Sequence, residues 1–364
     1  MKYIYLDNAS TTQMDLRAVE AMQPYFTEHY GNPNSAHTFG EVAFDAVEIS
    51  RAIIAKKIGA HPSEIAFTGG GTESNNMAIF GSSGDVVTTS IEHKSISEAC
   101  RSLRGRNVSF AAVDPDGLVD FDSAEKHLTT KTGIVSVIHG QNEIGTVQDL
   151  RRIGKICSDK NVLFHVDACQ SFLKEPINVR RMNIDLMTLN GHKIHGPKGV
   201  GALYVRDGVQ LKPILYGGNQ DHGLRAGTQN VPAIVGFGKA ASIWTEKNNS
   251  YIKKMRDLFM KNVRTFATLN GHRTKRLCSI LNYSFGVDGV TLVQHLNSQR
   301  IMASTGSACT SHEIVPSAVL KALGYSDERA RSSARFSFSR FTTAEDIKTA
   351  GDKIKLIVKS LRAL

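Results

Sequence analysis

Between residues 64 and 205, short apolar runs alternate with amphipathic stretches, and that alternation leaves few folds open to the chain. The runs are EIAFT (64–68), DVVTTS (85–90), NVSFAAV (107–113), GIVSVIH (133–139), NVLFHVDA (161–168), IDLMTLN (184–190) and GVGALYV (199–205). Each reads as a strand, and helical patterns cover 72–80, 94–103, 149–158 and the longer 39–58. Strands alternating with helices predict βαβ units with right-handed crossovers, an α/β fold whose mostly parallel, seven-stranded sheet lies between helices. From about residue 249 the rhythm changes to a long charged helix over 251–268, two or three strands and terminal helices, which reads as a second, smaller α+β domain.

A chain of 364 residues accommodates two such domains. Its 41% hydrophobic content beside 21% charged residues excludes disorder, and Gly 31 with Pro 9 excludes a collagenous chain. No run approaches the roughly 18 apolar residues of a membrane helix. The opening MKYIYLDNAST lacks the segments of a secretion signal, so the expectation is a cytoplasmic protein with no membrane partner. The five cysteines include no C-x-x-C pair, which argues against a disulfide framework and a metal site. A formal charge of +10 raises the question of nucleic acid. The basic residues are scattered, however, and their densest groups (101–106 and 353–362) read as solvated helix faces, which argues against direct nucleic-acid binding.

Two segments carry chemistry. In EIAFTGGGTESNNMAIF a strand runs through three glycines into a helix; Gly71 and Thr72 sit where free amides favour an anion. Alone, such a turn is structural as often as functional. The second is HVDACQ (165–170) followed by LNGHKIHGPKG (189–199). Asp167 and Gln170 stand at the carboxyl end of a predicted strand, where open α/β sheets place their ligands. Lys193 follows the next strand, between His192 and a Gly/Pro-rich turn. A buried lysine can form a Schiff base and an aspartate can hold a pyridinium nitrogen, the requirements of pyridoxal 5'-phosphate. In isolation Lys193 reads as a surface lysine and Asp167 as a helix cap; the glycine turn upstream tilts the balance.

The motifs YLDNASTT, GNPNSAHTFG (31–40), TGGGTESNN (68–76), EHKSI (92–96), QNEIGTVQ (141–148), HVDACQ, GHKIHGPKGVGALYV, GG-x4-G-x-RAGT (217–228), STGSACTS (304–311) and RFSFSRFTT (335–343) occur in that order. Taken together, the chain resembles the cysteine desulfurases, in the class V aminotransferase group of fold-type I pyridoxal phosphate enzymes. Its GSACTS form resembles the group that supplies sulfur to iron–sulfur clusters and thiolated tRNA. The resemblance implies a large cofactor-binding domain over 14–248 and a small domain formed by 1–13 and 249–364, with the cysteine loop in the small one.

It also implies roles. Lys193 would hold the cofactor as a Schiff base and take the substrate Cα proton. Asp167 would pair with the ring nitrogen, Gln170 with the ring oxygen, and His93 would stack on the ring and shuttle protons. Gly71, Thr72, His192 and Asn190 would meet the phosphate; Asn190 replaces the serine common in the family. Thr228 would reach the phosphate of the other subunit, which implies a homodimer. Arg335 offers the fork a substrate carboxylate requires, with Asn34 and Asn142 at family positions near it. Cys309, among small residues, would be the thiolate that attacks the sulfur of L-cysteine, carries a persulfide and releases alanine. His312, Glu313 and Ile314 depart from the common family version. The acceptor would be an iron–sulfur scaffold or a tRNA thiolation protein. Rival readings are a selenocysteine lyase, a small-substrate class V transaminase, which needs no thiol, or a non-catalytic sulfur-relay scaffold.

Overall fold

A computed structural model describes residues 3–305 and 316–363. The strands of the main sheet are β2 (Ile65–Thr68), β3 (Asp85–Thr89), β4 (Val108–Ala111), β5 (Thr132–Ile138), β6 (Leu163–Asp167), β7 (Leu186–Asn190) and β8 (Gly201–Val205), and they follow β1 (Ile4–Tyr5) in the chain. Their spatial order is β2-β8-β7-β6-β5-β3-β4. The five strands from β3 to β7 pair in parallel, and β8 runs antiparallel to both its neighbours. All seven expected strands form, in the expected mostly parallel sheet. β7 and β8 are buried at every position, as sequences without a polar alternation require.

The register matters for function. Ile138 pairs with Asp167, Asp167 with Thr188, and Asn190 and Thr68 both with Gly201. The carboxyl ends of β2, β5, β6 and β7 therefore line up on one edge, where the loops of an open sheet receive ligands.

Helices cover the faces. Thr38–Ile58 starts on His37, whose Nδ1 accepts from the Gly40 amide, buries Val47, Ile54 and Ile58, and stops at Gly59 (φ +73°). Against it packs Val231–Ile243, a helix the sequence pattern does not announce: it is apolar almost all round because it is buried almost all round. The expected helix over 251–268 is shifted to Glu246–Val263. Thr245 and Asn248 cap it reciprocally, and the chain turns at Arg264 to enter the next strand.

The remaining strands are β9 (Thr268–Asn270), β10 (Ile280–Ser284), β11 (Ile301–Met302) and β12 (Ser333–Ser337). β12-β10-β9 form an antiparallel sheet, β1 pairs in parallel with β11, and Asp7 bridges to Ser337. The first residues of the chain are thus stitched to its last third. No helix among the described residues is long and apolar enough to cross a membrane.

Candidate active site

At the carboxyl edge of the main sheet lies a cavity of about 450 Å³. Its walls include Gly71, Thr72, His93, Asn142 and Asp167, and also Gln170, Asn190, His192, Lys193 and Arg335. These ten residues, drawn from positions 71 to 335, are brought together as the sequence predicts.

The glycine turn forms one end. β2 stops at Thr68, whose hydroxyl bonds the Ser74 hydroxyl at 2.8 Å, while Glu73 accepts from the Gly69 amide at 3.0 Å. The helix Gly71–Gly81 then begins with first-turn amides that have no partner inside the helix. A Cβ at Gly71 would stand 2.5 Å from Cys169 Sγ, so only glycine lets this helix start lie on the cavity floor.

The floor is a hydrogen-bonded chain. Asp167, buried at the end of β6, accepts from Asn75 Nδ2 at 2.9 Å and from the Cys169 amide at 2.9 Å. Asn75 Nδ2 also donates to Ser95 Oγ at 2.8 Å, and Ser95 Oγ meets His93 Nδ1 at 2.8 Å. The Ser95 amide donates to that same Nδ1, so Nδ1 is the acceptor and Nε2 carries the proton. Burial lowers the His93 pKa, helped by Lys193 and Lys94 and opposed by Asp167, which keeps the ring neutral near pH 7. Asn75 and Ser95 are the functional residues that the sequence reading missed. The signal available was helical spacing: Asn75 lies one turn beyond Gly71 and so shares its face.

Lys193 follows β7 and donates from Nζ to the backbone carbonyls of Ala9 and, at 2.7 Å, Ser10. Burial pushes its amine down to about 8, with Arg335 and Lys174 repelling the proton and Asp7 opposing them. His192 is pushed down to about 4 by burial and by Lys193, Lys198 and Lys174, and its Nδ1 lies 3.1 Å from Thr11 Oγ1. Burial drives the Cys169 thiol well up, so it stays protonated. Cys100, Cys157 and Cys278 are free and buried, as expected.

Arg335 enters from β12 at the opposite wall. Its Nη2 donates to Asp7 at 2.8 Å and to Ser10 Oγ at 2.7 Å, its Nη1 to the Asn142 carbonyl at 3.0 Å, and its buried Nε has no partner. Asp7 is a further residue the sequence reading missed.

Two predicted contacts are not brought to this cavity. Asn34 is exposed, bonded to Asn32 Oδ1, and Thr228 is exposed; neither lines the wall. The resemblance assigns Thr228 to another subunit's cavity rather than to its own. Cys309, with Gly306 and residues 312–314, lies outside the described residues.

A catalytic-type lysine and a strand-end aspartate facing a glycine-turn helix describe many enzymes; the family comparison decides among them. The model of the class-V aminotransferases matches residues 4–349. The chain belongs to the class-V aminotransferase family. Among its relatives, "Cysteine desulfurase IscS" of Rickettsia rickettsii (strain Iowa) is 43% identical over 380 residues, covering 99% of this chain and 92% of that protein. A solved structure described as "NIFS-LIKE PROTEIN" superposes with TM-score 0.93 at 34% identity, covering 99% and 100% of the two chains. Another, "SspA in complex with cysteine", gives TM-score 0.83 at 34% identity over 93% and 99%.

Class-V aminotransferases work with pyridoxal phosphate, and this cavity fits that group. Gln170 Oε1 and Asn190 Oδ1 are buried without partners, and an amide turned over at either position aims its NH2 group at the oxygens of an anionic ligand. The bare helix start suits a phosphate, the Asp167 carboxylate suits a ring nitrogen, and Lys193 has an amine that loses its proton readily.

Proposed function

We propose that this class-V aminotransferase is a cysteine desulfurase: with pyridoxal phosphate it takes L-cysteine to L-alanine and passes the sulfur, as a persulfide on Cys309, to an acceptor in iron–sulfur cluster assembly or tRNA thiolation. The observation that carries the reading is the convergence of Lys193, Asp167 and Arg335 in one cavity, in a chain 43% identical to a protein named for that reaction.

Bound there, the cofactor supplies an electron sink for charge developing at the substrate Cα. The amides of Gly71 and Thr72, with Asn190 and His192, hold its phosphate. Asp167, fixed by Asn75 and the Cys169 amide, keeps its ring nitrogen protonated, Gln170 meets its ring oxygen, and His93 covers a ring face. Lys193 Nζ, with its depressed pKa, accepts and returns the Cα proton near neutral pH. Arg335, backed by Asn142, receives the substrate carboxylate, for which its bare Nε is available. The Cys309 thiolate attacks the substrate sulfur; an S–S bond forms, the Cβ–S bond breaks with its electron pair going to Cβ, which takes up the proton that the substrate thiol gives up, and alanine leaves. Cys309 follows by five residues Ser304, which lines the cavity.

The reading includes a homodimer. Leu16, Phe26, Tyr30 and Phe39 are 71%, 59%, 68% and 48% exposed, apolar side chains of the kind a second copy covers. In such a dimer Thr228 would reach the phosphate of the partner's cavity. The test is product analysis with L-cysteine and a reductant: equal amounts of alanine and sulfide support a desulfurase, whereas keto acid without sulfide would mean a transaminase and contradict it.

A further inference from the structure

The segment carrying Thr228 is tied to its own subunit at one buried point. Asp221 and Arg51 form an ion pair at 2.9 Å, their side chains 1% and 3% exposed, and neither lines the reactive cavity. Arg51 Nη1 also donates to the Ile65 carbonyl at 2.5 Å, and its guanidinium lies over the Phe67 ring, 4.8 Å from the centroid. The same Asp221 Oδ1 accepts from the Phe67 amide at 3.0 Å, and Oδ2 accepts from Gln229, next to Thr228, at 3.3 Å. Asp221 and His222 both take left-handed backbone (φ +45° and +61°), which side-chain-bearing residues adopt only when their surroundings impose it. Two residues past Gly223, Arg225 Nε donates to Glu73 at 2.8 Å; Glu73 also holds the Gly69 amide. The loop is therefore pinned at Asp221 to β2 and at Arg225 to the glycine turn that follows β2.

We infer that the Arg51–Asp221 pair is a positioning clamp that sets the Thr228 loop at the height of the phosphate end of the partner subunit's cavity, using the strand that ends in its own phosphate turn as the common support. The inference rests on the composite-cavity reading given above. It goes beyond it by assigning phosphate affinity in one subunit to a buried ion pair in the other, through residues that touch neither cofactor nor substrate. Arg51 and Asp221 are positioning residues, and an interior charge pair is well suited to the task because breaking it strands a buried charge, so the loop has one strongly preferred setting.

The test follows cofactor release from holoenzyme dimers diluted into a scavenger, read by absorbance. Thr228→Ala should speed release about tenfold, the scale for one hydrogen bond to a charged group. Asp221→Asn should speed it by a similar factor, and the double variant by no more than either alone, because both remove the same contact. Arg51→Met with Asp221→Asn removes the clamp without stranding a charge and should behave like Asp221→Asn while sedimenting as a dimer. Enzyme loaded with pyridoxal, which lacks the phosphate, should release it at the parent rate in every variant; a merely structural lesion would speed both. If Thr228→Ala releases pyridoxal phosphate at the parent rate, the composite-cavity reading fails and the clamp's function with it. If Thr228→Ala speeds release but the clamp variants do not, or the two effects multiply, the clamp inference alone is overturned.

Discussion

The two walls of the cavity are built on different principles. The floor comes from the main sheet and the helices that follow β2 and β3, and its members are tied to one another: Asp167, Asn75, Ser95 and His93 form an unbroken hydrogen-bonded chain in which only the buried Asn75 Oδ1 lacks a partner. The opposite wall is assembled from residues far apart in sequence, Asp7, Ser10, Asn142 and Arg335, and keeps an unsatisfied guanidinium nitrogen. A chain in which each side chain fixes the next holds a cofactor in one pose, whereas an ion pair with a bare donor can exchange Asp7 for an incoming carboxylate. The contrast teaches that the first wall is made for a resident group and the second for a transient one.

Substitutions break or sharpen that contrast. The largest effect is expected from Lys193→Ala, which removes the amine that moves the Cα proton: alanine formation should fall by about ten-thousandfold or more with the fold and non-covalent cofactor binding retained. Alanine assay and circular dichroism check it. On the transient wall, Arg335→Lys keeps the charge but loses the fork, so KM for cysteine should rise about ten- to a hundredfold with little change in the cofactor spectrum. On the resident wall the split reverses: Asn75→Ala frees Asp167 and Ser95 together, and kcat should drop about tenfold with a shifted cofactor absorbance and a nearly constant KM.

The pH dependence of cofactor capture sharpens the same contrast. The Lys193 amine, pushed down to about 8, gains its reactive neutral form as pH rises through that value. The rate at which apoprotein takes up pyridoxal phosphate should therefore climb up to about pH 8 and level off above it; continued climbing toward pH 10 would show an unperturbed lysine. The smallest effects belong to Cys100→Ala, Cys157→Ala and Cys278→Ala, all outside both walls, with alanine output within about twofold of the parent and stability lower by about 1–2 kcal/mol, checked by denaturant titration.

The difference between the walls also explains what the sequence reveals. Most of the seven strands are legible because burial on both faces leaves short apolar runs, and Asp167, Gln170, His192 and Lys193 are legible because they close or closely follow those runs. The helix Val231–Ile243 escapes notice because a helix buried on all sides loses the 3.6-residue alternation. β1 and β11 span two residues each, too short for any pattern, yet their pairing helps bring Asp7 and Ser10 to Arg335. Asn75 and Ser95 stand inside quoted motifs, but their role is to orient other side chains, and only three-dimensional neighbours show which ones.

The central claim is that sulfur leaves cysteine onto a single thiol. Holoenzyme incubated with L-cysteine and no reductant should be digested and its peptides weighed, in parallel with Cys309→Ser. The account predicts one additional sulfur, on the peptide containing Cys309, and no alanine from Cys309→Ser despite an unchanged cofactor spectrum. Extra sulfur on Cys169 or any other cysteine, or full activity of Cys309→Ser on cysteine, would contradict it.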